Sequence, residues 1–215
     1  KPQAPKVPPR DIMSVLIPLE ERGAQETSRR LLQTVRSVLG YALALGVIER
    51  NIAMDMKGIL ATRAEKHHAS LKDPKLIGPL LNAIDGYKGN PIVRFALQLA
   101  PLTFPRPVEL RGAEWAEIDF DNARWNIPAN RMKMRLPHII PLSRQAIEIL
   151  VQVQKISGNG KYVFPSAWTT SKTISENTIN FALRRLGYSS DKQTGHGFRS
   201  MASTLLNEMK YDRDN

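Results

Sequence analysis

A chain of 215 residues with 42% apolar residues is long enough for one large packed domain or two modest ones, and 31 Lys+Arg against 20 Asp+Glu leave a net charge of +11. That balance favours a polyanion, nucleic acid first, as partner. The absence of cysteine excludes disulfides and thiolate zinc sites, and no apolar run approaches the roughly 20 residues of a membrane span, so the expectation is a soluble cytoplasmic protein.

The opening K-P-Q-A-P-K-V-P-P-R carries four prolines in ten residues and predicts an extended linker or irregular arm. From Glu26, Leu31, Leu32, Val35, Val38, Leu39, Ala42 and Leu45 recur at helical steps, which predicts one long helix of about 20 residues ending near Gly46. Arg29, Arg30, Gln33 and Arg36 occupy its other faces, open to a phosphate backbone or to solvent. Residues 61–70 break the apolar period and read as a hinge. His67 and His68 within it are adjacent, cannot both face one site from a helix, and lack a carboxylate at ligand spacing, so linker polarity is preferred to a metal site. Up to position 65 there are 10 basic and 7 acidic residues, and beyond it 21 and 13, so both parts are positive, as two lobes of a clamp would be.

Asp73-Pro74 reads as an N-cap followed by proline at the first helical position, with Leu76, Ile77, Leu80, Leu81 and Ile84 as a buried stripe. A second apolar helix is expected from about Pro91 to Leu102. Three segments then favour strand, residues 115–120, 123–127 and 136–142, with turns at Asp121-Asn122 and over Arg131 to Arg135, and they predict a small antiparallel sheet. Ser143 to Lys155, Ser175 to Leu186 and His196 to Met209 read as helices. The fold class is mainly α with one β-meander, an α+β arrangement.

Four cations in the second half carry the chemistry. His196 and Arg199 in T-G-H-G-F-R stand three apart at the start of a helix, so they share a face at an end that already favours anions. Arg106 sits between Pro105 and Pro107, which restrict its backbone, and Glu109 lies one turn on, where it can accept from the guanidinium. Lys133, in R-M-K-M-R between two expected strands, puts an ammonium on a turn from which it can reach a phosphate. Each pattern alone is also what an ordinary surface pair, a helix-start ion pair or a solvated basic turn would give.

Taken in order, P-R-P-V-E-L, W-A-E-I-D, K-M-R-L-P-H-I-I-P-L-S and T-G-H-G-F-R resemble the tyrosine recombinase, or phage integrase, family, and among its members the integrases of satellite-phage type. The resemblance covers nearly the whole chain. It implies a helical core-binding domain over residues 1–65 and a catalytic domain over 66–215 with a small three-stranded antiparallel sheet. It also implies cleavage and rejoining of double-stranded DNA through a 3′-phosphotyrosyl intermediate, to integrate or excise a prophage or mobile element. Arg106 and Arg199 would clamp the scissile phosphate, Lys133 would protonate the departing 5′-oxygen, and His196 would assist proton transfer. No cofactor or metal is implied. The implied partners are attachment-site DNA, three further copies in a tetramer, a host DNA-bending protein and an excisionase, in a bacterial cytoplasm at the nucleoid.

Two departures accompany the resemblance. The family often has a glycine just ahead of the first arginine, where this chain has Thr103-Phe104-Pro105. None of Tyr41, Tyr87, Tyr162, Tyr188 and Tyr211 stands where the attacking tyrosine belongs, and the chain starts at Lys1 and stops soon after a helical pattern, so it reads as an internal fragment that binds DNA without the nucleophile. A non-catalytic DNA-binding regulator that keeps the phosphate pocket and a type IB topoisomerase are the alternative readings.

Overall fold

The computed structural model describes residues 7–56, 58–60 and 69–211, so the hinge residues His67 and His68 lie outside the described residues. The chain resolves into two compact units, Lys1–Lys66 and His67–Asn215.

In the first unit, helix α1 (Pro9–Glu21) and helix α2 (Gln25–Ala44) pack against each other and against a 3₁₀ turn at Ile52–Met54. The expected arm over residues 1–10 is therefore corrected at its end. Pro9 occupies the first turn, where a missing N–H costs nothing, so the proline cluster starts a helix instead of preventing one. Ile12, Leu16, Leu32, Ala53 and Met56 form the core. Arg36, one of the α2 cations, is spent on packing: its Nε donates to the Ala53 carbonyl at 2.9 Å, while the Arg36 carbonyl accepts from Asn51 Nδ2 at 2.9 Å. Arg30 pairs with Glu26 along the exposed face at 2.9 Å.

The second unit opens with α3 (Pro74–Asp85), capped as expected by Asp73, whose Oδ1 accepts from the Lys75 N–H at 2.9 Å. Helix α4 (Pro91–Thr103) is the central element and packs against α3, against the short α5 (Pro107–Arg111), and against α6 (Arg144–Ser157), α7 (Thr178–Arg185) and α8 (Gly197–Glu208). Between α5 and α6 lies an antiparallel meander of β1 (Ile118–Asp119), β2 (Arg124–Ile127) and β3 (His138–Pro141), in that spatial order. Trp125 pairs with Ile140 and Ile127 with His138, which turns Trp125 and Ile127 into the core and Arg124 and Asn126 outward, the period of two that strand geometry imposes. The first strand is shorter than the expected 115–120. Residues Trp115–Glu117 form a 3₁₀ turn because the Glu117 carboxylate is drawn inward to buried partners. Among the described residues no helix is long and apolar enough to cross a membrane.

Candidate active site

Helix α4 ends at an elbow that aims Arg106. Phe104 caps the helix with φ 49° and ψ 34°, the left-handed conformation that glycine adopts most readily, so this chain makes with Phe104 the turn for which a glycine would serve. Pro105 and Pro107 flank Arg106, which then caps α5 with extended backbone (φ −65°, ψ 149°). Glu109, with its side chain 1% exposed, fixes the arginine twice: one carboxylate oxygen accepts from the Arg106 main-chain N–H at 2.8 Å and the other from its Nη1 at 2.7 Å. A guanidinium held at main chain and side chain by one buried carboxylate retains its remaining donors for a ligand in a set direction.

The start of α8 is built with equal economy. Phe198 is 1% exposed and anchors the first turn in the core, which leaves His196 and Arg199 on the outer side. Thr194 receives the Gly197 N–H on both its hydroxyl (3.0 Å) and its carbonyl (2.9 Å), and Asn180 Oδ1 accepts from the Gly195 N–H at 2.9 Å. Gln193, fully buried, accepts from the Leu71 N–H at 2.9 Å, and the Thr194 N–H donates to the Ala69 carbonyl at 3.2 Å. Residue 197 must be glycine, since a side chain would run into the Ala69 carbonyl. The segment entering the second unit is thereby bonded to the loop that carries His196.

These two pieces meet. Arg199 Nη1 donates to the Phe104 carbonyl at 3.2 Å, two residues ahead of Arg106, although the two arginines are far apart in sequence. Arg199 and His196 also line a cleft of about 520 Å³ with Ser70, Lys72, Ser200, Ser203 and Thr204. The guanidinium of Arg199, the imidazole of His196 and the cleft hydroxyls can hold a phosphate and stabilise charge that develops on its oxygens; Arg106 does not line this cleft and joins it through the elbow, two residues beyond the carbonyl that Arg199 bonds.

Lys133 stands apart. It is exposed in the connection from β2 to β3, and among the described residues no hydrogen bond or ion pair joins it to Arg106, His196 or Arg199. The R-M-K-M-R segment is also less uniformly basic than its composition suggests. Arg131 ends a 3₁₀ turn (Ala129–Arg131) and pairs with Glu117, and its Nη2 donates to the Glu109 carbonyl at 2.9 Å. In sequence Arg131 reads as a turn cation and Glu117 has no role, and no sequence signal marks their pairing, because the partners meet only once the meander is folded.

The five tyrosines are dispersed. Tyr41 is exposed on α2, Tyr87 is buried in the core and Tyr188 packs against it, while the Tyr162 ring lies 5.3 Å beneath Lys161 Nζ. Tyr211 is exposed beyond the end of α8, where Lys210 has turned the backbone left-handed (φ 58°).

Comparison with known proteins gives the following. The sequence profile described as Phage integrase family matches residues 76–215, and that described as Phage integrase central domain matches residues 3–59. The integrase of Enterobacteria phage P4 is 39% identical over 203 residues, covering 88% of this chain and 46% of the relative. Prophage integrase IntA of Escherichia coli K12 is 34% identical over 203 residues, covering 94% of this chain and 49% of the relative. The chain thus spans about half the length of these relatives. Among solved structures, a lambda integrase (75–356) dimer bound to a COC′ core site superposes with a TM-score of 0.76 at 20% identity, over 100% of this chain and 79% of that one. A lambda integrase tetramer bound to a Holliday junction gives 0.72 at 20% identity, over 100% of this chain and 64% of that one.

Proposed function

The chain belongs to the phage integrase family of tyrosine recombinases, and from that premise we propose that the protein containing it is a site-specific recombinase that cuts and rejoins double-stranded DNA, with Arg106, Arg199, Lys133 and His196 handling the scissile phosphate. The observation that carries this reading is the Arg199 bond to the Phe104 carbonyl, 95 positions away in sequence, which supports Arg106 and Arg199 acting on one anion.

In this reading the two guanidiniums bind the non-bridging oxygens and take up the negative charge of the phosphorus transition state. A tyrosine hydroxyl, as the family implies, attacks phosphorus and gives up its proton, with His196 as acceptor. The bond from phosphorus to the 5′-oxygen breaks, its electron pair stays on that oxygen, and Lys133 Nζ supplies the proton. A lysine side chain is ordinarily cationic at neutral pH, so it arrives loaded for that step. Lys133 reaches the phosphate by movement of its exposed connection, since the residues from Lys133 onward to the start of β3 are solvent-exposed and Lys133 itself bonds nothing among the described residues. Residues 1–65 serve as the helical DNA-binding domain and 66–215 as the catalytic domain, on a duplex partner that the net charge of +11 favours. By analogy with the lambda integrase tetramer, the full-length protein assembles as four copies on two duplexes.

The test is covalent capture. Full-length protein mixed with attachment-site duplex carrying a nick beside the scissile phosphate is expected to yield an adduct that survives denaturant. Tight, specific DNA binding with no adduct would remove the recombinase reading and leave a DNA-binding regulator.

A further inference from the structure

Arg131 lies two residues ahead of Lys133, and its side chain is only 18% exposed. Its Nη1 is bonded to both carboxylate oxygens of Glu117, and its Nη2 to the Glu109 carbonyl at 2.9 Å. Glu117 also accepts from Trp125 Nε1 of β2 at 3.0 Å, and Glu109 is the residue whose carboxylate holds Arg106. The space for this guanidinium is reserved: a side chain at Gly112, just past the end of α5, would place its first carbon 2.8 Å from Arg131 Nη2. One guanidinium therefore ties together α5, the 3₁₀ turn before β1 and the foot of the connection that carries Lys133.

We propose that Arg131 is a positioning residue, which sets the reach of Lys133 relative to the Arg106 clamp. After Met132, which packs against the core, the connection is exposed from Lys133 to the start of β3, and Lys133 makes no hydrogen bond or ion pair among the described residues, so the place from which it swings is decided by Arg131 and the Met132 beside it. The Glu109 carbonyl gives that anchor a fixed relation to Arg106, because carbonyl and carboxylate belong to the same residue. The inference rests on Lys133 being the acid for the leaving 5′-oxygen.

Replacing the bridging 5′-oxygen of the scissile phosphate with sulfur separates this role from a merely structural one. A thiol is a far stronger acid than an alcohol, so sulfur departs as thiolate without taking a proton, and defects in proton delivery vanish while defects in folding or phosphate binding persist. Rates of covalent adduct formation would be measured for full-length protein on both DNAs. Lys133→Ala is expected to be slow on ordinary DNA and restored on sulfur DNA; if it is not restored, the acid assignment itself fails and the inference with it. With that control in place, Arg131→Met is expected to be at least about tenfold slow on ordinary DNA and near the unsubstituted rate on sulfur DNA. Equal slowing on both substrates would overturn the positioning role while leaving Lys133 as the acid. Because Arg131→Met strands a buried carboxylate and risks misfolding, Gly112→Ala provides a second reading: it crowds the guanidinium without removing a charge, and the same oxygen-selective defect is expected. A defect in Gly112→Ala that sulfur leaves untouched counts against the proposal.

Discussion

Arg106 is held by one carboxylate at two points, and this sets what its neighbours can be asked to do. Glu109→Gln keeps the shape but weakens two charge-assisted bonds, each worth about 1.5–3 kcal/mol, and a loss of about 10- to 100-fold in adduct formation is expected, with duplex affinity little changed. Rate and affinity measured on the same attachment-site DNA check this. The i,i+3 relation of Arg106 and Glu109 was legible in the sequence because neighbours on one helical turn must meet. The Arg131 to Glu117 pair was not, since its partners are 14 residues apart on separate elements and a turn arginine is ordinarily solvated. The left-handed Phe104 was likewise hidden, because nothing in Thr103-Phe104-Pro105 advertises a positive φ.

Helix α8 depends on Phe198, which anchors the turn between His196 and Arg199. Phe198→Ala is expected to cost about 3–5 kcal/mol, seen as a lower melting temperature of the second unit, with loss of DNA cleavage as the turn loosens. The turn after β1 offers a pH test. The Asn122 main-chain N–H, and then its side-chain amide, donate to Asp119 and hold that carboxyl below its ordinary range. A depressed folded-state pKa contributes stability that is full above the ordinary carboxylate range and lost as pH falls through the folded value. Melting temperature should therefore fall more between pH 6 and 3 in the unsubstituted protein than in Asp119→Asn. Helix α3 was readable from its Asp73 cap, but only part of its expected stripe is buried: Leu80 and Ile84 face the core, while Leu76 and Leu81 are exposed; the alternation of β2 was also readable. Helix α1 was not, because its proline-rich start masks a pattern that Ile12, Leu16 and Leu19 reveal only once the first turn is known to accept Pro9.

For the whole molecule, a net charge of +11 across two positive units predicts that duplex affinity falls steeply with salt, by roughly 0.9 in log affinity per log salt for each phosphate neutralised. Removal of Arg106 should lower that slope by about one. The claim underlying all of this is that Arg106 and Arg199 hold one phosphate, and the most direct measurement is a double-substitution cycle on the rate of covalent adduct formation in the full-length protein. Each single change to alanine is expected to cost about 100- to 1000-fold. Groups that act as a unit are strongly non-additive, so Arg106→Ala/Arg199→Ala should be within about tenfold of the slower single variant. A double variant whose loss equals the product of the two single losses would contradict the shared site.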